Sequence, residues 1–476
     1  MILLKRCYYI RTPEGSDDLR GADILIRGNR IERVAGNIDP GKLLFETASG
    51  APAGMKTRRK SGAERAPDEE IDVIDCSHMV VLPGFVNTHH HFYQTLTRNL
   101  KAVQNAKLFD WLVYLYEVWK GIDAAAVFYS TLLAAGELLK TGCTSTTDHH
   151  YLYPRGFQGD LMGIQFDAAD RVGIRFSPCR GSMSLSKKDG GLPPDSTVQT
   201  EEQILRDSER VIETYHDDSA ASMRKIILAP CSPFSVTKEL MRETVSLARS
   251  KGVRLHTHLA ETADEDDYCL RVYKKRPLRL MQELGFLGDD VSYAHGIFFE
   301  DAELKVLAET GTAVAHCPSS NMRLGSGIAR VKEMLEMGIT VGLAVDGSAS
   351  NDSSDYLGEM RQALLLQRIR YGADGLTVPD VFRLATENGA KLLGFDGIGS
   401  IEQGKLADLA LFDIDRLEYA GSLSDPVAAL LFAGISHQSA YTIVNGRVVV
   451  KNGRLTGCDE REIIDRANAI SARMLS

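Results

Sequence analysis

The sequence has no long apolar run, no basic excess and no Cys-x-x-Cys, and each absence removes a class of protein. Nowhere do about 18 or more apolar residues run together, so no membrane-spanning helix is expected. The apolar start, Met1-Ile2-Leu3-Leu4, runs straight into Lys5-Arg6 and is too short for a secretory signal. The 55 Lys and Arg stand against 64 Asp and Glu, a net charge of -9 that disfavours a nucleic-acid partner. The missing Cys-x-x-Cys excludes the small zinc deaminases, whose metal needs a Pro-Cys-x-x-Cys element. The eight scattered cysteines read as reduced, mostly buried thiols and imply a cytoplasmic address.

What is present is a globular composition, 44% hydrophobic and 25% charged. At 476 residues the chain suits a large core with a smaller partner domain. Residues 1–36 read as strands, with two alternating runs, 23–27 and 30–34, joined by the two-residue turn Gly28-Asn29. From 46 to 70 the pattern dissolves into Ala, Gly, Ser, Pro and mixed charge. The basic run Lys56-Thr57-Arg58-Arg59-Lys60 there reads as part of a solvated, mobile loop rather than an address. Strand patterns return at 406–412, 440–444 and 447–450, with Asn445-Gly446 as a second hairpin turn. A small β-sandwich domain built from both chain ends, 1–82 and 402–476, is the economical reading. Asp459 can cap a last helix with Ile463, Ile464, Ala467, Ile470 and Met474 on one face.

Between these ends, 83–401, short apolar runs alternate with helical patterns. Strands are expected at 144–147, 175–177, 225–229, 254–258, 291–295, 313–316 and 340–345, with helices such as 124–141, 236–251 and 379–393. With the strand that leads into Phe85, this makes eight strands at βα spacing, the pattern of a TIM-like (β/α)8 barrel in the α/β class. Polar residues gather where the strands end: Asp148, His149, His150, Arg180, Cys231, Ser232, His258, His295, His316 and Asp346. Barrel enzymes carry their chemistry at those ends.

The run Pro83-Gly84-Phe85-Val86-Asn87-Thr88-His89-His90-His91 organises the site. On a strand, residues i and i+2 point the same way, so His89 and His91 project together and His90 does not. Two imidazoles on one face make half of a metal site. Three histidines alone could equally be a polar loop, and His256 reads as a hydrogen-bonded barrel histidine. His258 with Glu261 three residues on, then His295, then Asp346, at successive strand ends, favour the metal reading.

These motifs resemble the amidohydrolase superfamily, in its cytosine/guanine deaminase and chlorohydrolase branch, over essentially the whole chain. They are the histidine strand, His258-Leu259-Ala260-Glu261, His316-Cys317-Pro318-Ser319-Ser320-Asn321 and Val345-Asp346-Gly347. The resemblance implies His89, His91, His258 and Asp346 as ligands of one divalent ion per chain, zinc or else iron(II). It implies Glu261, His295 and Asp346 as catalytic groups. Two-metal members carry a carboxylated lysine at the end of the fourth strand; Cys231-Ser232 stands there, so a single metal is implied. The implied reaction is hydrolytic deamination of an aromatic heterocycle, with Glu261 protonating a ring nitrogen.

Within that branch the segments 91–98, 180–184, 229–234 and 346–352 resemble bacterial 8-oxoguanine deaminases, some of them labelled hydroxyatrazine ethylaminohydrolases. This implies an amino-substituted oxopurine as substrate, with guanine, isoguanine, a pterin or a hydroxyatrazine-type triazine as alternatives. Gln94 would read a purine edge, Trp111 cover a flat ring, Arg180 donate to a carbonyl and Cys231 stand where guanine readers carry arginine. A small-molecule partner, no membrane or nucleic acid, and a homodimer are implied with it. A metal-free scaffold protein is the remote alternative, disfavoured because every ligand is in place.

Overall fold

The computed structural model describes residues 1–13, 17–43 and 70–476. The expected loop 46–70, apart from Glu70, lies outside the described residues, and with it the basic run 56–60.

Parallel strands form the centre. Phe85–Asn87 pairs with Cys143–Thr146, which pairs with Arg175–Phe176. A second ladder runs from His149–His150 through Cys179–Ser182, Ile227–Pro230, Arg254–Leu259, Val291–His295 and Ala313–His316 to Val341–Leu343. The two ladders are one curled sheet in which the second and third strands each break and resume. Backbone bonds bridge the breaks, from Thr147 to Asn87, His149 to His90, Ser177 to Thr146 and Cys179 to Asp148. Thr88 then donates to Leu343 O and Asp346 to His89 O, each at 3.1 Å, so the last strand reaches the first. Pro178 explains the break in the third strand, since it has no N–H to give the ladder.

Helices cover the outside. The expected 124–141 is found as Ala124–Lys140, capped by Asp123, and 236–251 as Lys238–Lys251, capped by Thr237. The expected 379–393 is two helices, Val378–Ala385 and Glu387–Leu393, because Thr386 (φ −125°, ψ −90°) leaves the helical region. In the last helix, Glu460–Met474, Ile463, Ala467 and Ile470 are buried, whereas Ile464 is 44% exposed and lies off the packed face.

Two further sheets flank this unit. One has the order Arg30–Ala35, Ala22–Arg27, Ile2–Cys7, Asp72–Asp75. The other joins both chain ends, as Tyr9–Ile10, Met79–Pro83, Leu409–Asp413, Tyr441–Val444, Arg447–Lys451 and Arg454–Leu455. Asn445 (φ +49°) and Gly446 (φ +76°) form the hairpin turn expected from their sequence. Leu4, Ile24, Ile26 and Ile74 from one sheet pack with Val81, Leu409, Leu411 and Ile443 from the other. No helix among the described residues is long and apolar enough to cross a membrane.

Candidate active site

His89 and His91 lie just beyond the first strand, Phe85–Asn87, and reach one point inside the curled sheet, where they meet His258 from the strand Arg254–Leu259. Each ring is fixed through its Nδ1. His91 Nδ1–H donates to His149 O at 2.8 Å and His258 Nδ1–H to Cys231 O at 2.7 Å. His89 Nδ1–H donates to His256 Nε2 at 2.8 Å, and His256 in turn bonds Ser292 Oγ at 2.8 Å. That relay sets the tautomer and leaves all three Nε2 lone pairs facing inward.

The donor set fits a cation. His91 Nε2 lies 3.1 Å from His258 Nε2, and Asp346 Oδ1 lies 3.4 Å from both His89 Nε2 and His91 Nε2. Ligands at about 2.0–2.1 Å in a tetrahedron are separated by about 3.3–3.4 Å. His89 Nε2 is buried without a hydrogen-bond partner, and two basic nitrogens at 3.1 Å repel unless a cation lies between them. Burial depresses the pKa values of His89 and His258, keeping them neutral as ligation requires. Burial alone would raise Asp346, but the imidazoles that face it, His89 first and then His295 and His91, favour its carboxylate and carry it well below the usual range.

Two groups face this cluster. Glu261 is 5% exposed, and burial pushes its carboxyl up to about 7. His295 Nε2 lies 3.6 Å from Glu261 Oε2 and 3.9 Å from Asp346 Oδ2, while its Nδ1–H donates to Asn321 Oδ1 at 2.9 Å. His295 is in register with Leu259, and strand alternation would turn it away from the side that His256 and His258 share. Its left-handed backbone (φ +75°) re-aims it; Asp346 also takes a left-handed φ, of +64°. Strain of this kind costs about 1–3 kcal/mol and concentrates at functional positions.

The amidohydrolase family model matches residues 80–449, which carry every one of these groups. The chain belongs to the amidohydrolase family. An 8-oxoguanine deaminase of Pseudomonas aeruginosa is 47% identical over 402 residues, covering 84% of this chain and 89% of that one. A hydroxydechloroatrazine ethylaminohydrolase of Pseudomonas sp. strain ADP is 35% identical, covering 96% and 92%. Among solved structures, the atrazine chlorohydrolase of Arthrobacter aurescens TC1 complexed with zinc superposes with a TM-score of 0.89 at 28% identity, covering 99% and 100%.

In this amidohydrolase a cavity opens beside the histidine cluster. Gln94, Trp111 and Cys231 line it together with Glu261, His295 and Asp346. Gln94 Oε1 accepts from Ala349 N–H at 3.3 Å. Trp111 is 4% exposed and packs edge-on against Trp119, so it is both a wall and a core residue. Burial pushes the Cys231 thiol up to about 12, so it is neutral and no nucleophile.

Arg180 is a correction. It sits inside the strand Cys179–Ser182, in register with Leu228 and through it with Leu255, on the face opposite His256. Its guanidinium stacks on Tyr153, donates to Asp207 at 2.8 Å and Gln199 at 2.8 Å, and bonds Gly181 O. It is not among the cavity-lining residues. Sequence reasoning passed over Asn321, which orients His295, and Tyr116 and Tyr151, which line the cavity. Helical spacing held the clue for Tyr116, four residues beyond Leu112 on the buried face of Leu108–Trp119.

Proposed function

We propose that this amidohydrolase is a metal-dependent hydrolytic deaminase whose substrate is 8-oxoguanine, converted to urate and ammonia. The observation that carries the reading is the convergence of three Nε2 atoms and Asp346 opposite the buried carboxyl of Glu261. The 8-oxoguanine deaminase at 47% identity supports the choice of substrate. His89, His91, His258 and Asp346 would hold one divalent ion, for which we propose zinc, as in the bound chlorohydrolase; His149 brings a fourth imidazole within 4.8 Å of the other three. Such an ion supplies a Lewis acid that brings the pKa of a water to about 7.

The remaining steps belong to the chain. Water adds to the amino-bearing carbon as Glu261 delivers a proton to the neighbouring ring nitrogen. Asp346 and His295 orient the water, and Asp346 Oδ2 accepts its proton. A second transfer protonates the amino nitrogen, the C–N bond breaks, and ammonia leaves a carbonyl behind. Gln94 offers its amide to the purine edge, Trp111 covers the ring and Cys231 borders the oxidised five-membered ring.

The architecture proposed with this activity is a closed (β/α)8 barrel, 83–401, with one β-sandwich domain from 1–82 and 402–476. A cytoplasmic homodimer is proposed with it. The test of substrate is ammonia release from 8-oxoguanine, guanine, isoxanthopterin and an alkylamino-hydroxytriazine side by side. The reading expects the highest kcat/KM for 8-oxoguanine, at least about 10²-fold above guanine. A higher kcat/KM for the triazine, towards which the 35% identical relative points, would overturn it.

A further inference from the structure

Glu261 stands two residues beyond its strand, and the strand ladder does not fix where its carboxyl goes. Ala260, between them, takes φ +56°, a left-handed conformation uncommon for a residue with a Cβ. Such a turn must be held by its surroundings. On the acceptor side, Ala260 O receives N–H bonds from Ile297 at 2.8 Å and Phe298 at 3.0 Å. On the donor side, two successive amides converge on one side chain. Ala260 N–H donates to Glu265 Oε1 at 3.1 Å and Glu261 N–H to Glu265 Oε2 at 2.9 Å.

Glu265 lies in the first turn of the helix Ala263–Tyr273 and is 1% exposed. A glutamate at this third helical position ordinarily reaches back to the N–H of the capping residue. Here it reaches past the capping residue, Thr262, to the two residues before it, and Thr262 makes no side-chain cap. No lysine or arginine forms an ion pair with Glu265 among the described residues. The arrangement is costly: burial pushes Glu265 up to about 8, the two N–H bonds oppose that, and the charge of Glu261 adds to it. Fold stability alone does not call for a second buried carboxyl beside Glu261.

We propose that Glu265 is a positioning residue of the reaction: its two carboxyl oxygens hold the left-handed turn that aims Glu261 at the substrate. The proposal rests on the reading of Glu261 as proton carrier. Glu265→Gln keeps the volume but leaves one carbonyl oxygen for two N–H donors, so the turn loosens and Glu261 moves. A displacement of about 1 Å at a reacting group can cost about 10²-fold in rate.

The test is a double-mutant cycle with ammonia release from 8-oxoguanine as readout, alongside metal content and thermal melting. Glu265→Gln should lower kcat about tenfold or more, with KM within about threefold and metal content unchanged. In the Glu261→Gln background it should lower kcat no further, because the residue it positions no longer carries a proton. Where the glutamine variant yields too little folded protein, Glu265→Asp keeps both oxygens one methylene short of the turn and gives the same cycle. Unchanged kcat in the single variant, or the same fold-loss in both backgrounds, would overturn the proposal. Full activity in Glu261→Gln alone would instead remove the proton-carrier reading on which it rests.

Discussion

Glu261 and Arg180 are both ionisable residues that the sequence sets close to the site, yet their surroundings assign them opposite work. Glu261 faces His295 across 3.6 Å inside the cavity, and burial holds its carboxyl near neutrality, the range a proton carrier needs. Glu261→Gln keeps size and polarity but carries no proton, so kcat should fall at least about 10²-fold with metal content unchanged. Loss of the metal would make Glu261 a ligand instead. Arg180 is fully buried on the other face of its strand and is committed to Asp207 and Gln199. Arg180→Met should therefore lower the melting temperature and leave KM within about twofold; a tenfold rise in KM would return Arg180 to the substrate.

Among the elements, the strands that end in histidine or aspartate were legible because a period of two, read backwards from a ligand, gives both the strand and its inner face. His89, His91 and His258 follow that rule, and the relay through His256 completes it. Arg180 is not a strand end: it lies inside Cys179–Ser182, and alternation from Cys179, which packs with Ile227 and Ala229, puts it outside. His295 breaks alternation through its positive φ, which no side-chain pattern announces. Glu265 was invisible for another reason: a carboxylate bonded to backbone amides leaves no residue-specific partner in the sequence.

The helix Tyr356–Tyr371 yields a prediction of its own. Its Glu359 is buried and accepts the Ser319 N–H at 2.9 Å, and burial pushes its carboxyl from the ordinary 4.5 up to about 8. The folded state then holds a proton that the unfolded chain has lost between those values. The stability it contributes is complete below about pH 4.5 and disappears as pH rises through about 8. Relative to the parent, in which buried neutral histidines pull the other way, Glu359→Gln should therefore remove this carboxyl's share of any fall in melting temperature between pH 5 and pH 8.5. An equally steep fall in the variant would locate the proton elsewhere.

In the whole molecule, the curled sheet and the flanking sheets meet at a buried ion pair. Arg175, in the third strand, donates to Asp408 at 3.1 and 2.9 Å, with both side chains almost wholly enclosed. Asp408 also accepts the Asn445 N–H at 2.8 Å and so ties the hairpin to the same point. Removing one partner leaves a buried charge uncompensated, at a cost of about 3–5 kcal/mol. Asp408→Ala should lower unfolding stability by that order; a loss under about 1 kcal/mol would show that the two parts do not depend on this pair. The hairpins at the two ends announced a shared β unit, but the partner of Met79–Pro83 did not. That strand pairs with Leu409–Asp413, more than 300 residues on, and distance along the chain hides such a pairing from any local pattern.

The enzyme proposed holds a single metal on His89, His91, His258 and Asp346, with Cys231 where a bridging lysine would stand. Stripped of metal and titrated with Zn2+, the protein should release ammonia from 8-oxoguanine in proportion to added ion, up to one equivalent per chain and no further. Activity that persists without metal, or climbs to a plateau only at two equivalents, would contradict it.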